Sequence, residues 1–80
     1  MKTVTNNLHE LMLKECAKTT LETGKRKTMR DLDVEFAEKF DMSKHSIMAI
    51  RQNKYQPKIE FAVELCEYFH ITLYDFFNVR

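Results

Sequence analysis

The chain has 80 residues, of which 44% are apolar and 31% are charged, and its formal net charge is +1. This length predicts one domain spanning residues 1–80. The composition excludes a long disordered tail, and no apolar run approaches the roughly 18 residues of a membrane-spanning helix. Residues 1–9 contain one lysine and no apolar run, which does not fit a secretory signal. We therefore expect a cytoplasmic protein without a membrane partner.

The predicted elements are all helical. Glycine and proline each occur once, and apolar residues recur at helical spacing along nearly the whole chain. Strand signals are almost absent from the sequence, with no sustained alternation and no Asn-Gly or Asp-Gly turn. We predict an all-α fold with five helices, at about residues 7–23, 29–40, 44–53, 58–69 and 73–77.

Capping residues mark the first three helices. Gly24 suits the left-handed position just after the first helix. Thr28 and Asp31 have the spacing of a capping box and open the second helix. Ser43 is a favoured N-cap for the third helix. Asn53 is the second choice after glycine for the left-handed residue that ends it.

The fourth and fifth helices follow Pro57 and Thr72. Proline pre-sets the backbone for the first turn of a helix. Thr72 and Asp75 repeat the capping-box spacing. The apolar residues that we expect the fourth helix to bury are Ile59, Ala62, Val63, Leu65, Cys66 and Phe69.

Aromatic residues are concentrated near the end of the chain. Within residues 68–77 they are Tyr68, Phe69, Tyr74, Phe76 and Phe77. We expect them to pack into the core. A homodimer contact through the C-terminal helix is the alternative.

No arrangement of residues in the sequence indicates catalysis or metal binding. Cys16 and Cys66 lack a Cys-x-x-Cys pattern, so we expect two reduced, buried thiols. His9, His45 and His70 are scattered, and a single glycine cannot form a glycine-rich phosphate loop. We predict a protein that is not an enzyme and has no cofactor or metal.

Charge is distributed unevenly along the chain. Residues 42–58 contain four basic side chains and no acidic one, whereas residues 59–80 contain one basic and four acidic side chains. This asymmetry suits a localised phosphate-binding surface. At 100° per residue, Ile47 and Ile50 mark the inward face of the third helix. The opposite face carries Lys44, His45, Met48, Ala49 and Gln52, which could contact base edges.

Residues 34–47, VEFAEKFDMSKHSI, resemble the Cro/repressor-type helix-turn-helix family, also described as lambda-repressor-like or XRE-type. The resemblance extends over about residues 28–77. It depends on the ordered spacing of Ala37, Ser43, Ile47, Ile50, Pro57, Ala62, Leu65 and Phe77. It implies a compact five-helix DNA-binding domain whose third helix contacts bases in the major groove, usually as a dimer on an inverted repeat.

Residue by residue, the resemblance implies a site on the third helix and the loop after it. Lys44 and His45 match the first base-contacting pair, and Ala49 with Met48 matches the second. Lys44 would favour guanine. For His45, a base contact and an exposed side chain without a role are equal alternatives. Phosphate contacts are implied for Ser43, Gln52, Asn53, Lys54, Tyr55 and Lys58.

The sequence departs from the family pattern at three positions. Asp41 and Asn53 stand where the family usually has glycine. Asp33 stands where a donor that binds phosphate, often glutamine, usually starts the second helix, and a carboxylate there would repel phosphate. One interpretation is that the basic loop at residues 25–27 makes this phosphate contact in place of Asp33. An equal alternative is that the loop is only a run of solvated charges.

These observations favour a sequence-specific, double-stranded DNA-binding transcriptional regulator of phage or mobile-element repressor or Cro type. The alternative is a protein-binding module on the same fold, which would engage another regulator as an antirepressor- or antitoxin-like partner. The low net charge and the acidic segment at residues 59–80 favour that alternative.

Overall fold

The computed structural model describes residues 4–79, and in this range it contains five α-helices and one small sheet. The five predicted helices are confirmed. The helices are α1 (Leu8–Thr23), α2 (Met29–Lys39), α3 (Lys44–Arg51), α4 (Ile59–Phe69) and α5 (Leu73–Phe76), and the strands are β1 (Val4–Asn6) and β2 (Phe77–Val79).

The two-stranded sheet was not expected from the sequence. β1 pairs with β2 in antiparallel orientation, with Thr5 opposite Asn78. Each strand has three residues, which is too short for an alternating pattern to be visible. Because the pairing joins opposite ends of the chain, tertiary closure and not local propensity determines these strands.

Three helices end on a left-handed residue that is not glycine. Asp41, Asn53 and His70 have φ angles of 54°, 60° and 57°. After each of them, the next backbone N–H donates to the carbonyl five residues earlier, which is the Schellman pattern; Lys54 N donates to Ala49 O at 2.9 Å. Asp and Asn tolerate this conformation better than most residues, so these helices end sharply although the chain has a single glycine.

The predicted capping box at the start of α2 is confirmed. The Asp31 N–H donates to Thr28 Oγ1 at 3.2 Å, and the Thr28 N–H donates to Asp31 Oδ2 at 3.1 Å. The hydrogen bond from the Thr28 backbone lowers the pKa of the Asp31 carboxyl. At the start of α5, the Asp75 N–H donates to Thr72 Oγ1 at 3.2 Å.

The core lies where α1 to α5 meet. Its buried apolar residues are Leu8, Met12, Cys16, Leu32, Phe36, Ile47, Ile50, Phe61, Ala62, Leu65, Cys66 and Phe76. Both cysteines are free and buried, as expected, and burial raises the pKa of both thiols.

The predicted burial on α4 is partly wrong. Ile59 is 58% exposed and Val63 is 38% exposed, whereas Phe61, which was not assigned to the core, is buried. The ring of Phe61 meets that of Phe40 edge-on, with centroids 5.2 Å apart. This aromatic contact orients α4 so that its Ile59–Val63 side faces solvent.

The C-terminal aromatic residues contribute to the core, with one exception. Phe76 is completely buried, and Tyr68, Phe69 and Phe77 pack against the core. Tyr74 is 91% exposed, so its predicted burial is wrong.

Candidate nucleic-acid interface

Helices α2 and α3 are joined by a tight turn at residues 40–43, giving a helix-turn-helix arrangement. Asp41 adopts the left-handed conformation in this turn, and Met42 N donates to Ala37 O at 2.9 Å. Ser43 then starts α3, because its hydroxyl accepts from the Ser46 N–H at 3.1 Å. The turn therefore fixes the point at which α3 leaves α2.

The inward face of α3 is the predicted one. Ile47 and Ile50 are both buried, and they pack in the same cluster as Leu32 and Phe36 of α2. A helix of eight residues has little intrinsic stability in water, so this packing holds α3 in place.

The outward face of α3 carries the predicted base-contacting residues. Lys44 and His45 are exposed, while Met48 and Ala49 are half-buried. Residues 44–51 include no carboxylate. This face therefore offers a cation, an imidazole, a thioether and a methyl group to a partner.

Arg51 and Asp33 form an ion pair between α3 and α2. Arg51 Nε donates to Asp33 Oδ1 and Arg51 Nη2 donates to Asp33 Oδ2, each at 2.9 Å. Asp33 is 1% exposed, so the pair is a bidentate, charge-assisted contact inside the protein. Arg51 Nη1 also donates to His9 Nδ1 at 3.2 Å, which links α3 to α1.

This ion pair changes the meaning of Asp33. The carboxylate is buried, and Arg51 neutralises its charge. It therefore presents no free negative charge at the surface expected to bind phosphate. The sequence carried a signal for this arrangement. At 100° per residue, Asp33 falls within the arc of α2 defined by Leu32, Phe36 and Ala37, and a carboxylate on a buried face requires a cationic partner.

The end of α3 is held by three side-chain amides, which we call the amide cluster: Asn6, Asn53 and Gln56. Asn53 Oδ1 accepts from the Asn6 N–H at 2.7 Å and from Gln56 Nε2 at 3.2 Å. Asn6 Nδ2 donates to Gln56 Oε1 at 2.8 Å and to the carbonyl of Ile50 at 2.9 Å. The amide cluster therefore attaches β1 to the last turn of α3.

The predicted phosphate-contacting residues are not gathered in one place. Gln52 is exposed and lines a polar groove with Asn53, although the Asn53 amide is already hydrogen-bonded in the amide cluster. Tyr55 and Lys58 border a different groove beside α4, and the Tyr55 hydroxyl donates to Ser46 O at 3.4 Å. The side chains of Ser43 and Lys54 are exposed.

A cleft of about 440 Å³ lies between α2 and α3. We call it the α2–α3 cleft; its lining residues are Arg30, Asp33, Lys44, His45, Met48 and Arg51. Three of the predicted base-contacting residues therefore share one concave surface, from which Ala49 is missing. Sequence reasoning did not single out Arg30 or Arg51, because their position depends on how α2 packs against α3.

The basic loop at residues 25–27 has a role inside the protein. Lys27 is half-buried and forms an ion pair with Glu35 of α2, and this contact raises the pKa of the lysine ammonium group. Lys25 and Arg26 are exposed. One of the three cations in the loop is therefore committed to a partner within the fold.

The described part of the chain has neither a metal-binding cluster nor a membrane-spanning helix. Residues 4–79 contain no group of three or more His, Cys, Asp and Glu side chains arranged to hold a metal ion. None of the helices within this range is long and apolar enough to cross a bilayer.

The sequence matches no protein-family model, and no curated protein matches it. The fold is similar to that of a crystal structure of a "putative DNA-binding protein" from Bacteroides fragilis, with a TM-score of 0.68. The alignment covers 95% of this chain and 100% of the other chain, at 17% sequence identity. At this identity the similarity shows a shared fold and assigns no role to any residue.

Proposed function

We propose that the protein binds double-stranded DNA, with α3 in the major groove, and acts as a sequence-specific transcriptional regulator of repressor or Cro type. The observation that carries the proposal is the construction of α3. Its inward face is fixed by Ile47 and Ile50, and its outward face offers Lys44 and His45 without any carboxylate.

The major groove of B-DNA is wide enough for an α-helix and displays a distinct pattern of donors and acceptors for each base pair. A docked recognition helix contacts bases first with its N-terminal residues. In this protein those residues are Lys44 and His45, and Met48 follows one turn later with an apolar surface that fits the thymine methyl group. Ala49 would add a second methyl contact.

Phosphate contacts would come from the residues around the ends of α3. Gln52, Lys54 and Lys58 are exposed polar or cationic side chains on the same segment. Ser43 and Tyr55 add hydroxyl groups there, and the Tyr55 hydroxyl would leave the Ser46 carbonyl to donate to a phosphate. Because Asn53 is engaged in the amide cluster, its part is to hold the loop in position.

The similarity to the Bacteroides fragilis structure supports this proposal at the level of the fold. That protein is described as a "putative DNA-binding protein", and the alignment spans 95% of this chain. Within the proposal, the regulator belongs to a phage or mobile element and binds an inverted repeat as a homodimer. The exposed Tyr74 places an aromatic side chain on the C-terminal helix for that contact.

The test is selection of bound duplexes from a random pool, followed by fluorescence anisotropy at several salt concentrations. We expect a two-fold-symmetric site to be enriched. Each neutralised phosphate should contribute about 0.9 to the slope of log affinity against log salt. Absence of enrichment, with feeble binding at low salt only, would contradict the proposal.

A second candidate is a protein-binding module on the same fold. One observation favours it: an apolar groove of about 500 Å³ beside α4, lined by Phe40, Tyr55 and Phe61 and bordered by two carboxylates, Glu60 and Glu64, and one cation, Lys58. Carboxylates beside apolar side chains suit a basic partner and repel DNA. If selection of duplexes fails, pull-down with the wild-type protein and with Glu60→Lys would test this candidate. Recovery of a partner by the wild-type protein alone would support it.

A further inference from the structure

We propose that the apolar groove beside α4, which Phe40, Tyr55 and Phe61 line and which we call the α4 groove, binds a small organic cation that strengthens DNA binding. The ligand is an ammonium group attached to an apolar body. Its binding to the groove is independent of the proposed function, whereas its effect on DNA affinity rests on that function.

The α4 groove has the size of a small-molecule site. Its volume of about 500 Å³ lies within the range of roughly 300–1,000 Å³ that is typical of ligand pockets. Phe40 and Met42 come from the turn after α2, Tyr55 and Pro57 from the loop after α3, and Phe61 from α4. Because its walls belong to separate elements of the fold, the site is formed before a ligand binds.

Two carboxylates stand at the border of the α4 groove. Glu60 and Glu64 are four residues apart on α4, so they lie on one side of the helix and repel each other. The third charged group is Lys58, and none of the three forms an ion pair within residues 4–79. Two carboxylates against one ammonium group leave a net negative charge, which favours a cation.

The apolar walls determine what kind of cation fits. The ring of Phe61 is buried, and that of Tyr55 is 47% exposed beside it. Aromatic rings attract a cation to their faces, and an apolar body is stabilised when such walls remove it from water. A metal ion would gain nothing from these walls, and a neutral molecule would gain nothing from the carboxylates. The combination therefore suits an amphipathic cation.

The α4 groove borders the proposed DNA surface, because Lys58 is one of the predicted phosphate contacts. In the proposed complex, Glu60 and Glu64 would therefore place negative charge near the DNA backbone and repel its phosphates. A bound cation neutralises part of this charge, so occupancy of the groove should raise DNA affinity. By linkage, DNA should raise the affinity for the cation by the same factor.

The first experiment titrates the full chain with phenethylammonium and follows its amide signals by NMR. Phenethyl alcohol and phenylacetate are the neutral and anionic comparisons. We expect shifts at residues 40–42 and 55–64, and tightest binding for the ammonium ion. Glu60→Gln and Glu64→Gln should each weaken its binding by about two- to fivefold and leave that of the alcohol unchanged. Glu67→Gln, an exposed carboxylate of α4 outside the groove, is the matched control and should bind like the wild type.

Three results would overturn the site. Failure of phenethylammonium to bind would exclude a small cation and leave the α4 groove to a protein partner. Equal affinities for the ammonium ion, the alcohol and the carboxylate would exclude recognition of charge. Equal losses in Glu64→Gln and Glu67→Gln would show an effect of net charge alone.

The second experiment measures binding to the selected duplex by anisotropy with and without saturating phenethylammonium, at constant ionic strength. We expect the wild-type affinity to rise by about twofold, as for other exposed charges. The double variant Glu60→Gln/Glu64→Gln should bind DNA more tightly than the wild type and should not respond to the probe. A wild-type affinity that the bound probe leaves unchanged would overturn the effect on DNA. If no duplex is bound at all, the proposed function and this effect fail together, while the NMR titration still decides the site.

Discussion

The two ends of α3 are built in opposite ways. At the start, Lys44 and His45 are exposed, and their side chains make no hydrogen bond or ion pair with the rest of residues 4–79. At the end, Arg51 forms a bidentate pair with Asp33 and a contact with His9, and Asn53 belongs to the amide cluster. The difference teaches that the side chains at the C-terminal end hold α3 against the rest of the fold, whereas the outward side chains at its N-terminal end are unengaged, although the turn fixes the backbone there.

This division suits a helix that must contact a partner. A backbone that is fixed before binding loses little conformational entropy when the complex forms. Free side chains at the contacting end can then adapt to a base edge. The contrast predicts that substitutions at the fixed end change stability, whereas substitutions at the free end change binding.

The largest effect is expected at the buried ion pair. Arg51→Ala should lower the free energy of unfolding by about 3–5 kcal/mol, because the buried Asp33 carboxylate would lose its cationic partner. Urea denaturation measures this change. In the double variant Asp33→Leu/Arg51→Met, the free energy of unfolding should fall much less, since both charges are removed. Equal losses in the single and double variants would show that the loss of stability does not come from an unpaired Asp33 carboxylate.

The next effect is expected at the inward face of α3. Ile47→Ala should lower the free energy of unfolding by about 2–5 kcal/mol, since it truncates a completely buried side chain. Thermal melting measures the loss, and Met48→Ala on the outward face provides the comparison. A melting temperature that Ile47→Ala leaves unchanged would mean that the faces of α3 are reversed.

At the free end, Lys44→Ala should cost about 1–3 kcal/mol of DNA-binding free energy and relax specificity at one base pair. Its thermal melting should stay close to that of the wild type, because Lys44 is exposed. Lys54→Ala should instead weaken binding to all sequences similarly. Anisotropy titrations on the selected site and on single-base variants measure both. Equal, sequence-independent losses in the two variants would contradict a base contact by Lys44.

The smallest effects are expected at the left-handed residues on either side of α3. Asp41→Gly should raise the free energy of unfolding by up to about 1 kcal/mol, because glycine removes the steric cost at φ 54°. Asn53→Gly removes the same steric cost, but it should lower the free energy of unfolding by about 1 kcal/mol, since the Asn6 N–H loses its acceptor. Urea denaturation measures both. A gain in both variants would mean that the amide cluster contributes little.

Much of the fold follows from local signals in the sequence. The capping box at Thr28, the N-cap at Ser43 and the left-handed Asn53 each mark a helix end that the structure contains. These signals depend on neighbouring residues only, so one sequence is enough to recognise them. The burial of Ile47 and Ile50 likewise follows from helical spacing.

The features that the sequence did not predict depend on distant residues. β1 and β2 are short and exist because opposite ends of the chain meet. Ile59 and Val63 fit a buried stripe, but α4 turns toward Phe40 through Phe61 instead. The α2–α3 cleft combines residues from two helices, so its composition requires the packing of α2 on α3. The contacts of individual residues with DNA stay predictions.

The pairing of β1 with β2 has a consequence for how this chain can be rearranged. Val4 lies opposite Val79, so the two positions are about one strand spacing apart. A short glycine-rich connector could join them, and new termini could be opened between Gly24 and Arg26, where the loop is exposed. In such a circular permutant, α2 would come first along the chain and α1 last, while the contacts that hold α3 would all be retained.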